Sequence, residues 1–172
     1  DPGHGGRDPG AVGRGGIFEK EIVLDISRQV AAILAKNGVQ AILTRNRDVE
    51  VDLQPRVNVA QRANATVFVS IHANAISLAR PDVNGIETYY YSSGLRLAKS
   101  IHANVLRSAD IKDRRVRKAR FYVLRRTSMP SVLVETGFVT GAQDAANFNR
   151  PAHRRNMAQG IAQGILQYLR GR

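Results

Sequence analysis

The chain contains no cysteine, and this absence narrows its chemistry. Without thiols it can form neither disulfide bonds nor thiolate metal sites, so any metal would have to be bound by histidine or carboxylate side chains. Long apolar segments are missing too, since none reaches the roughly 20 residues that a membrane-spanning helix needs. With 172 residues, of which 43% are hydrophobic and 23% charged, the composition is typical of one globular domain with a real core.

Acidic residues are scarce relative to basic ones. The chain has 14 Asp and Glu against 26 Lys and Arg, which gives a formal net charge of +12. Such a charge favours polyanionic partners, whether nucleic acid, an anionic membrane or an acidic cell-wall polymer, although a merely well-solvated surface is the plain alternative. The basic residues are densest in Lys112–Arg126, where they flank aromatic residues. This mixture suits either single-stranded nucleic acid or a groove for another anionic substrate.

The apolar periodicity predicts helices that alternate with strands. Helical patterns begin near Glu19, Leu53, Gly94 and Pro151. Short apolar or β-prone runs predict strands over Val39–Thr44, Ala65–Ile71, Gly85–Ser92, Phe121–Leu124 and Ser131–Phe138. This alternation predicts an α/β fold with a mostly parallel central sheet and helices on both faces. We expect residues 1–172 to form a single domain, excised from a longer secreted chain.

Three side chains capable of catalysis or metal binding fall at positions where a parallel sheet usually binds its ligands. His72 and Glu135 end two of the buried strands, and His4 lies in the glycine-rich segment Asp1–Phe18. Ligands bind beyond the carboxyl ends of parallel strands. Two imidazoles and one carboxylate are sufficient to hold zinc with a position left for water, while a second carboxylate moves the proton of that water.

The residue spacing does not assign the carboxylates to these roles. It does not choose among Glu19, Glu21 and Glu87 as the ligand, and it does not decide which glutamate is the base. The chain lacks HExxH, which excludes a thermolysin-type site, and it lacks the nucleotide-binding glycine motifs in their required context. His102 and His153 fall on helices, and we interpret His102 as half-buried or at the surface and His153 as exposed.

Six segments in a fixed order resemble a known family over nearly the whole chain. They are DPGHGGRDPGAVG, FEK at a helix start, SIHANA, GIETYYY, RxVRxARFYVLR and MPSVLVETGFVTG. Together they resemble the zinc-dependent N-acetylmuramoyl-L-alanine amidases of bacterial cell walls. The resemblance implies that His4, Glu19 and His72 bind one Zn²⁺, and that Glu135 is the catalytic acid–base. It also implies hydrolysis of the amide bond between N-acetylmuramic acid and L-alanine in peptidoglycan.

The resemblance carries weaker implications for substrate binding. Arg114 matches a recurrent arginine of the family and would hold the oxyanion or a stem-peptide carboxylate, although an exposed arginine in a basic run is the plain reading. Asn74 is a weaker candidate of the same kind. We expect a monomer that binds peptidoglycan, binds no nucleic acid and does not span the membrane. Its expected place is the periplasm or the cell wall of a secreting cell, with targeting domains outside this chain.

The segment Ala73–Asn84 bears on regulation. Some division amidases of the family carry a long helix at this point that plugs the zinc site, and this connection is too short for it. The sequence therefore predicts an enzyme without an autoinhibitory insertion, acting in cell-wall remodelling or daughter-cell separation. Two other readings stay open: a different zinc hydrolase, such as a carboxypeptidase or deacetylase, and a basic nucleic-acid-binding module with structural histidines.

Overall fold

A four-stranded sheet organises the computed structural model, which describes residues 1–171. The strands are β1 (Phe68–Asn74), β2 (Ile86–Tyr90), β3 (Asp113–Lys118) and β4 (Ser131–Phe138). Their order is β1-β4-β2-β3, with β1 and β4 parallel, β2 and β3 parallel, and β2 and β4 antiparallel. The predicted α/β class with a mostly parallel sheet is confirmed.

Six α-helices accompany the sheet. They are α1 (Glu19–Lys36), α2 (Leu53–Arg62), α3 (Leu95–Ser108), α4 (Tyr122–Arg126), α5 (Ala142–Phe148) and α6 (Pro151–Arg170). The proline that opens α6 suits a first helical turn, where its missing N–H would have no partner in any case. Within residues 1–171, no helix combines the length and apolar character that crossing a membrane requires.

Side-chain alternation along the strands builds a core on each face of the sheet. Ile71 and Val134 point into the larger core, which α1, α3 and α6 cover. Phe68 and Leu133 point to the other face and form a smaller core with α2 and α4. Because successive residues of a strand face opposite sides, His72 and Glu135 share the face of the smaller core. The helices on both faces confirm the predicted layers.

Helices α3 and α6 pack unusually closely through two glycines of α6. A Cβ atom on Gly160 would lie 2.6 Å from the Cα of Val105, and one on Gly164 would lie 2.4 Å from the Cα of Ile101. Real Cβ atoms do not approach backbone so closely, so these positions admit only glycine without movement of a helix. The contact fixes the larger core against the sheet, since α3 also packs on β2.

The predicted strand over Val39–Thr44 is wrong. These residues follow α1 as irregular chain beside a groove of about 490 Å³, and Ile42 is 52% exposed. A strand needs hydrogen-bonding partners, and no strand among the described residues pairs with this segment. Apolar content alone therefore overstated its regularity.

The segment Lys112–Arg126 also differs from the expectation. Phe121–Leu124 is not a strand, because Tyr122–Arg126 forms helix α4, which turns Val123 and Leu124 into the smaller core. Short apolar runs fit either a strand or a turn of helix. The strand of this segment is β3, which lies earlier in the chain and contains no apolar run that would have predicted it. Helix α5 was not predicted.

The two helical histidines are more buried than the sequence suggested. His153 is only 5% exposed and packs against Phe148, so the expectation of an exposed side chain is wrong. His102 is also 5% exposed, and its ring nitrogens lie 2.9 Å from Thr88 Oγ1 and 2.9 Å from Asp113 Oδ1. His102 therefore ties α3 to β2 and β3 and has a structural role.

Candidate metal centre

Three elements bring His4, Glu19 and His72 together. The first residues of the chain run beside β1, where Gly3 N donates to Ile71 O at 3.0 Å, and this pairing delivers His4 to the edge of the sheet. Glu19 Oε1 lies 2.9 Å from His72 Nδ1 and 3.2 Å from His4 Nε2. One ligand atom from each residue lies within 4.8 Å of the others, so the three could hold one metal ion.

The carboxylate of this cluster is fixed and ionised. Glu19 is 4% exposed, and its oxygens accept the N–H groups of Ala11 at 2.8 Å and Ala73 at 3.0 Å. Burial alone would raise the pKa of Glu19, but hydrogen bonds and charge from His4 and His72 outweigh it and hold the pKa well below its usual range. The site therefore presents a permanent negative charge between two imidazoles.

The chemistry of these donors fits zinc. Burial lowers the pKa of His4, yet the bonds and charges of Glu19 and Asp8 outweigh it, so the net effect raises the pKa. The cluster thus favours positive charge, either as protons on the imidazoles or as a divalent cation that replaces them. Two histidines and one glutamate are also a donor set that catalytic zinc sites use.

The glycine-rich loop is built around His4. His4 has a φ of 58°, and Asp8 Oδ2 lies 2.7 Å from its Nδ1, on the ring edge away from Glu19. Asp8 in turn accepts the N–H of Gly10 at 3.0 Å. Gly10 has a φ of 66°, and a Cβ there would lie 2.6 Å from Glu19 Oε2. Asp8 therefore orients the imidazole from behind, as outer carboxylates do at many metal sites.

Two buried arginines hold the backbone of the same loop. Arg45, 3% exposed, donates to the carbonyls of Pro2 at 3.1 Å and Gly3 at 2.7 Å. Arg56, 4% exposed, donates to the carbonyls of Pro2 at 2.6 Å and His4 at 2.9 Å. Sequence reasoning missed both arginines and Asp8. The arginines lie in segments without a motif, whereas the position of Asp8 four residues after His4 was a usable signal.

Glu135 lies beside the cluster but is not part of it. It pairs with His72 in the register of β4 and β1, and that register shifts directly after this pair. Its Oε2 is buried without a hydrogen-bond partner among residues 1–171. Burial raises the pKa of Glu135 to about 7, to which the charges of neighbouring glutamates add. A carboxyl group with such a pKa can both accept and release a proton near neutral pH.

A cavity of about 400 Å³ opens over these groups. Its lining includes His4, His72 and Glu135, and the aromatic side chains of Phe121 and Tyr122. The larger groove beside Val39–Thr44 contains none of the five. The smaller cavity is therefore the candidate site, because side chains capable of metal binding and proton transfer line it.

The predicted substrate-binding residues meet at a different side chain. Arg114 Nε donates to Glu87 Oε1 at 3.1 Å, and Asn74 Nδ2 donates to Glu87 Oε2 at 3.0 Å. The guanidinium carbon of Arg114 also stacks 5.0 Å from the ring centroid of Phe138. Glu87 is thus not a ligand in the cluster of the described residues, which resolves one of the choices that the spacing left open. It lies directly across from Glu135 in the pairing of β2 and β4.

Comparisons with known proteins point to one family. A family model described as N-acetylmuramoyl-L-alanine amidase matches residues 1–167. The N-acetylmuramoyl-L-alanine amidase LytC of Bacillus subtilis is 42% identical over 175 residues, covering 99% of this chain and 35% of LytC. This chain therefore spans about a third of that relative.

Solved structures resemble the fold closely. The N-acetylmuramoyl-L-alanine amidase AmiC2 of Nostoc punctiforme is 56% identical with a TM-score of 0.97, covering 99% of this chain and 94% of that one. The catalytic domain of the amidase CwlV from Bacillus (Paenibacillus) polymyxa var. colistinus is 39% identical with a TM-score of 0.93. That match covers 100% of this chain and 97% of the CwlV domain.

Proposed function

The chain belongs to the N-acetylmuramoyl-L-alanine amidase family, and we propose that residues 1–172 form a zinc-dependent peptidoglycan hydrolase domain. The bond cleaved is the amide between N-acetylmuramic acid and L-alanine of the stem peptide. One observation carries the proposal: His4, Glu19 and His72 converge within 4.8 Å, next to an unpartnered buried carboxyl oxygen of Glu135. This is the arrangement that metal-assisted amide hydrolysis needs.

Each side chain has a separate task. His4, Glu19 and His72 would hold the metal, and His4 and His72 line the cavity. Zinc, when bound, polarises the scissile carbonyl and acidifies the attacking water. Glu135 accepts the proton of that water at Oε2 and returns it to the nitrogen of L-alanine as the C–N bond breaks. A pKa of about 7 lets Glu135 perform both transfers near neutral pH.

Arg114 and Asn74 bind the peptide side of the substrate in this proposal. Both side chains reach Glu87, which neighbours Glu135 across β2 and β4. Arginine suits a carboxylate or an oxyanion because its planar fork donates parallel hydrogen bonds. The amide of Asn74 suits a peptide group.

The domain acts as a monomer at the cell wall, in the periplasm or outside the cell. The connection between β1 and β2, residues 75–85, contains no helix and only two short turns, at residues 78–79 and 81–82. We therefore propose that the domain needs no activator to open its site. Targeting domains elsewhere in the protein would place it at sites of wall remodelling or daughter-cell separation.

Digestion of purified sacculi tests the function directly. The isolated domain with zinc and no partner protein should release stem peptides that begin with a free L-alanine amine, as identified by mass spectrometry. A chelator should abolish this release, and zinc should restore it. His4→Ala should lose zinc and activity together, because a ligand has been removed. Glu135→Gln should keep zinc yet lose activity about 10²- to 10⁴-fold, the usual effect of removing a general acid–base.

Each result points to a different correction. Full zinc content in His4→Ala would overturn the ligand assignment, and loss of zinc from Glu135→Gln would overturn the separation of roles. Fragments cut within the stem peptide, or deacetylated sugars, would indicate a different zinc hydrolase. Silence of the zinc-loaded domain that an added protein relieves would refute activity without an activator.

A further inference from the structure

A row of functional side chains crosses the whole sheet on one face. His72 of β1 pairs with Glu135 of β4, and Glu135 pairs with Glu87 of β2. Arg114 of β3 completes the row by its ion pair with Glu87. The proposed reaction uses His72 as a metal ligand and Glu135 for proton transfer, so the role of Glu87 needs its own explanation.

Glu87 is a buried carboxylate with every oxygen in use. It is 3% exposed, and it accepts hydrogen bonds from Asn74 at 3.0 Å, Tyr89 at 2.9 Å and Arg114 at 3.1 Å. Arg117 adds charge at 3.8 Å. Burying a carboxylate is costly unless such partners compensate. Both oxygens of Glu87 thus already accept hydrogen bonds, whereas Glu135 Oε2 has no such partner.

The partners of Glu87 are held in one orientation. Burial and the bond to Glu87 raise the pKa of Tyr89 to about 12, so its hydroxyl stays protonated and donates. The aliphatic stem of Arg114 crosses Gly85, where a Cβ would lie 2.9 Å from Arg114 Cγ. Phe138 stacks on the guanidinium. Glu87 therefore holds Nε of Arg114. The two terminal nitrogens of Arg114 make no hydrogen bond within residues 1–171, so they remain available to a ligand.

We propose that Glu87 is a positioning residue that fixes Arg114 beside the catalytic carboxylate, so that Arg114 recognises a carboxylate of the stem peptide. The inference rests on the proposed function and deepens it. Neighbouring strands lie about 4.8 Å apart, which places β3 about 10 Å from β4. An extended peptide advances about 3.3–3.6 Å per residue. The recognised carboxylate therefore lies within the first three residues or so of the stem.

Kinetics on paired substrates test this role. The substrates are a soluble muramoyl peptide with free stem carboxylates and the same compound with those carboxylates amidated. Glu87→Gln should raise KM for the first about 10- to 100-fold, the worth of a charge-assisted hydrogen bond, and leave kcat nearly unchanged. With the amidated substrate the variant should match the wild type. Zinc content should stay the same in every variant.

A double-mutant cycle separates positioning from general stability. If Glu87 acts through Arg114, then Glu87→Gln should add nothing to Arg114→Met on the carboxylate substrate. Asp25→Asn is the matched control, since it also removes the charge from a carboxylate paired with an arginine, Arg154, and should leave both KM values unchanged. Equal loss on both substrates, additive effects or loss of zinc would overturn the proposal.

Binding of the free stem peptide makes the test independent of cleavage. Calorimetry should show weaker binding of the carboxylate peptide to Glu87→Gln and to Arg114→Met than to the wild type. If Glu87→Gln does not fold, the comparison of the wild type with Arg114→Met decides. A wild type that binds the free and the amidated peptide equally well, or an Arg114→Met variant that still prefers the free peptide, refutes the role. A wild-type domain that binds the peptide through Arg114 but cleaves neither substrate would refute the amidase function and leave this inference standing.

Discussion

At the scale of single residues, we expect the outer partner of His4 to influence how tightly the candidate site binds metal. Asp8 is half exposed and accepts from His4 on the ring edge opposite Glu19. Asp8→Ala removes that contact and leaves the three candidate ligands His4, Glu19 and His72 in the sequence. We expect zinc to bind about 10- to 100-fold more weakly, because the imidazole loses its fixed orientation. Competition with a chelating dye measures the change.

Asp48→Ala is the control for this prediction. Asp48 supports the same loop through Gly6 and Lys20 and is exposed to a similar degree, but it contacts no ligand. Its replacement should leave zinc affinity close to that of the wild type. If both variants lose affinity equally, loop stiffness rather than the orientation of His4 controls the metal.

The sequence pointed to the residues that converge at the candidate site, but not to the residues that support them. Histidine and glutamate at strand and helix ends suggested zinc chemistry, and the ordered motifs chose Glu19 and Glu135 for the two roles. Arg45 and Arg56 could not be predicted in this way. Their value lies in hydrogen bonds to carbonyls more than 40 residues away in the chain, and such contacts exist only once the fold brings them together.

At the scale of elements, strong helical periodicity predicted α1 and α6 well, and a dense apolar run predicted β4. Segments with weaker patterns failed. Strand β3 is largely exposed at the edge of the sheet, so its side chains carry no apolar alternation. Where one strand pairs with a neighbour on one side only, backbone hydrogen bonds rather than side-chain burial define it, and composition cannot reveal them.

The helix contact through Gly164 yields a prediction about stability. Alanine is the better helix former by about 1 kcal/mol. Its Cβ would, however, lie 2.4 Å from the Cα of Ile101, and overpacking of this kind costs about 1–3 kcal/mol. We expect Gly164→Ala to lower the melting temperature by several degrees, since each kcal/mol shifts a domain of this size by about 2–4 °C. Differential scanning calorimetry measures it.

Gln163→Ala serves as the comparison for that variant. Gln163 is exposed on the same helix, and its replacement by alanine gains a little helix propensity, less than at a glycine, without a close backbone contact. Its melting temperature should equal or exceed that of the wild type. An unchanged or higher value for Gly164→Ala would mean that α3 and α6 can move apart at little cost.

At the scale of the whole molecule, we expect the basic surface charge to contribute to binding of the proposed substrate, peptidoglycan. Both β3 and α4 carry exposed basic side chains, and Arg126 of α4 stacks at 5.6 Å on Tyr122, which lines the cavity. Replacing Arg115, Lys118 and Arg125 by glutamine should weaken binding to sacculi and reduce its dependence on salt, because fewer charges attract the anionic polymer. Sedimentation with sacculi over a salt series measures both.

An equal change of net charge elsewhere distinguishes a local surface from a general field. Lys36, Arg62 and Lys99 are also exposed, and their replacement by glutamine should affect binding less. The same loss from both triple variants would leave only the net charge of +12 as the cause. Base-sensitive binding to DNA without binding to sacculi would favour the nucleic-acid reading.

At this scale, the order of the strands in the sheet could not be predicted from the sequence. β4 is the last strand in the sequence, yet it lies between β1 and β2 in the sheet. It pairs parallel with β1 and antiparallel with β2. Partner choice depends on which faces the helices cover, and no local pattern records it. The resemblance to known amidases predicted which residues would meet, whereas the row across the sheet had to be observed.

Because the row of side chains from His72 to Arg114 crosses all four strands, we expect catalytic activity to depend on the correct alignment of those strands. Side chains alternate between faces, so a slip of β4 by one position would turn Glu135 into the larger core and bring Val134 or Thr136 towards the metal. A partly misfolded molecule can keep its helices and its secondary-structure content, but not this alignment. Turnover per mole of protein therefore counts correctly threaded molecules in a refolded or engineered preparation, which circular dichroism cannot do.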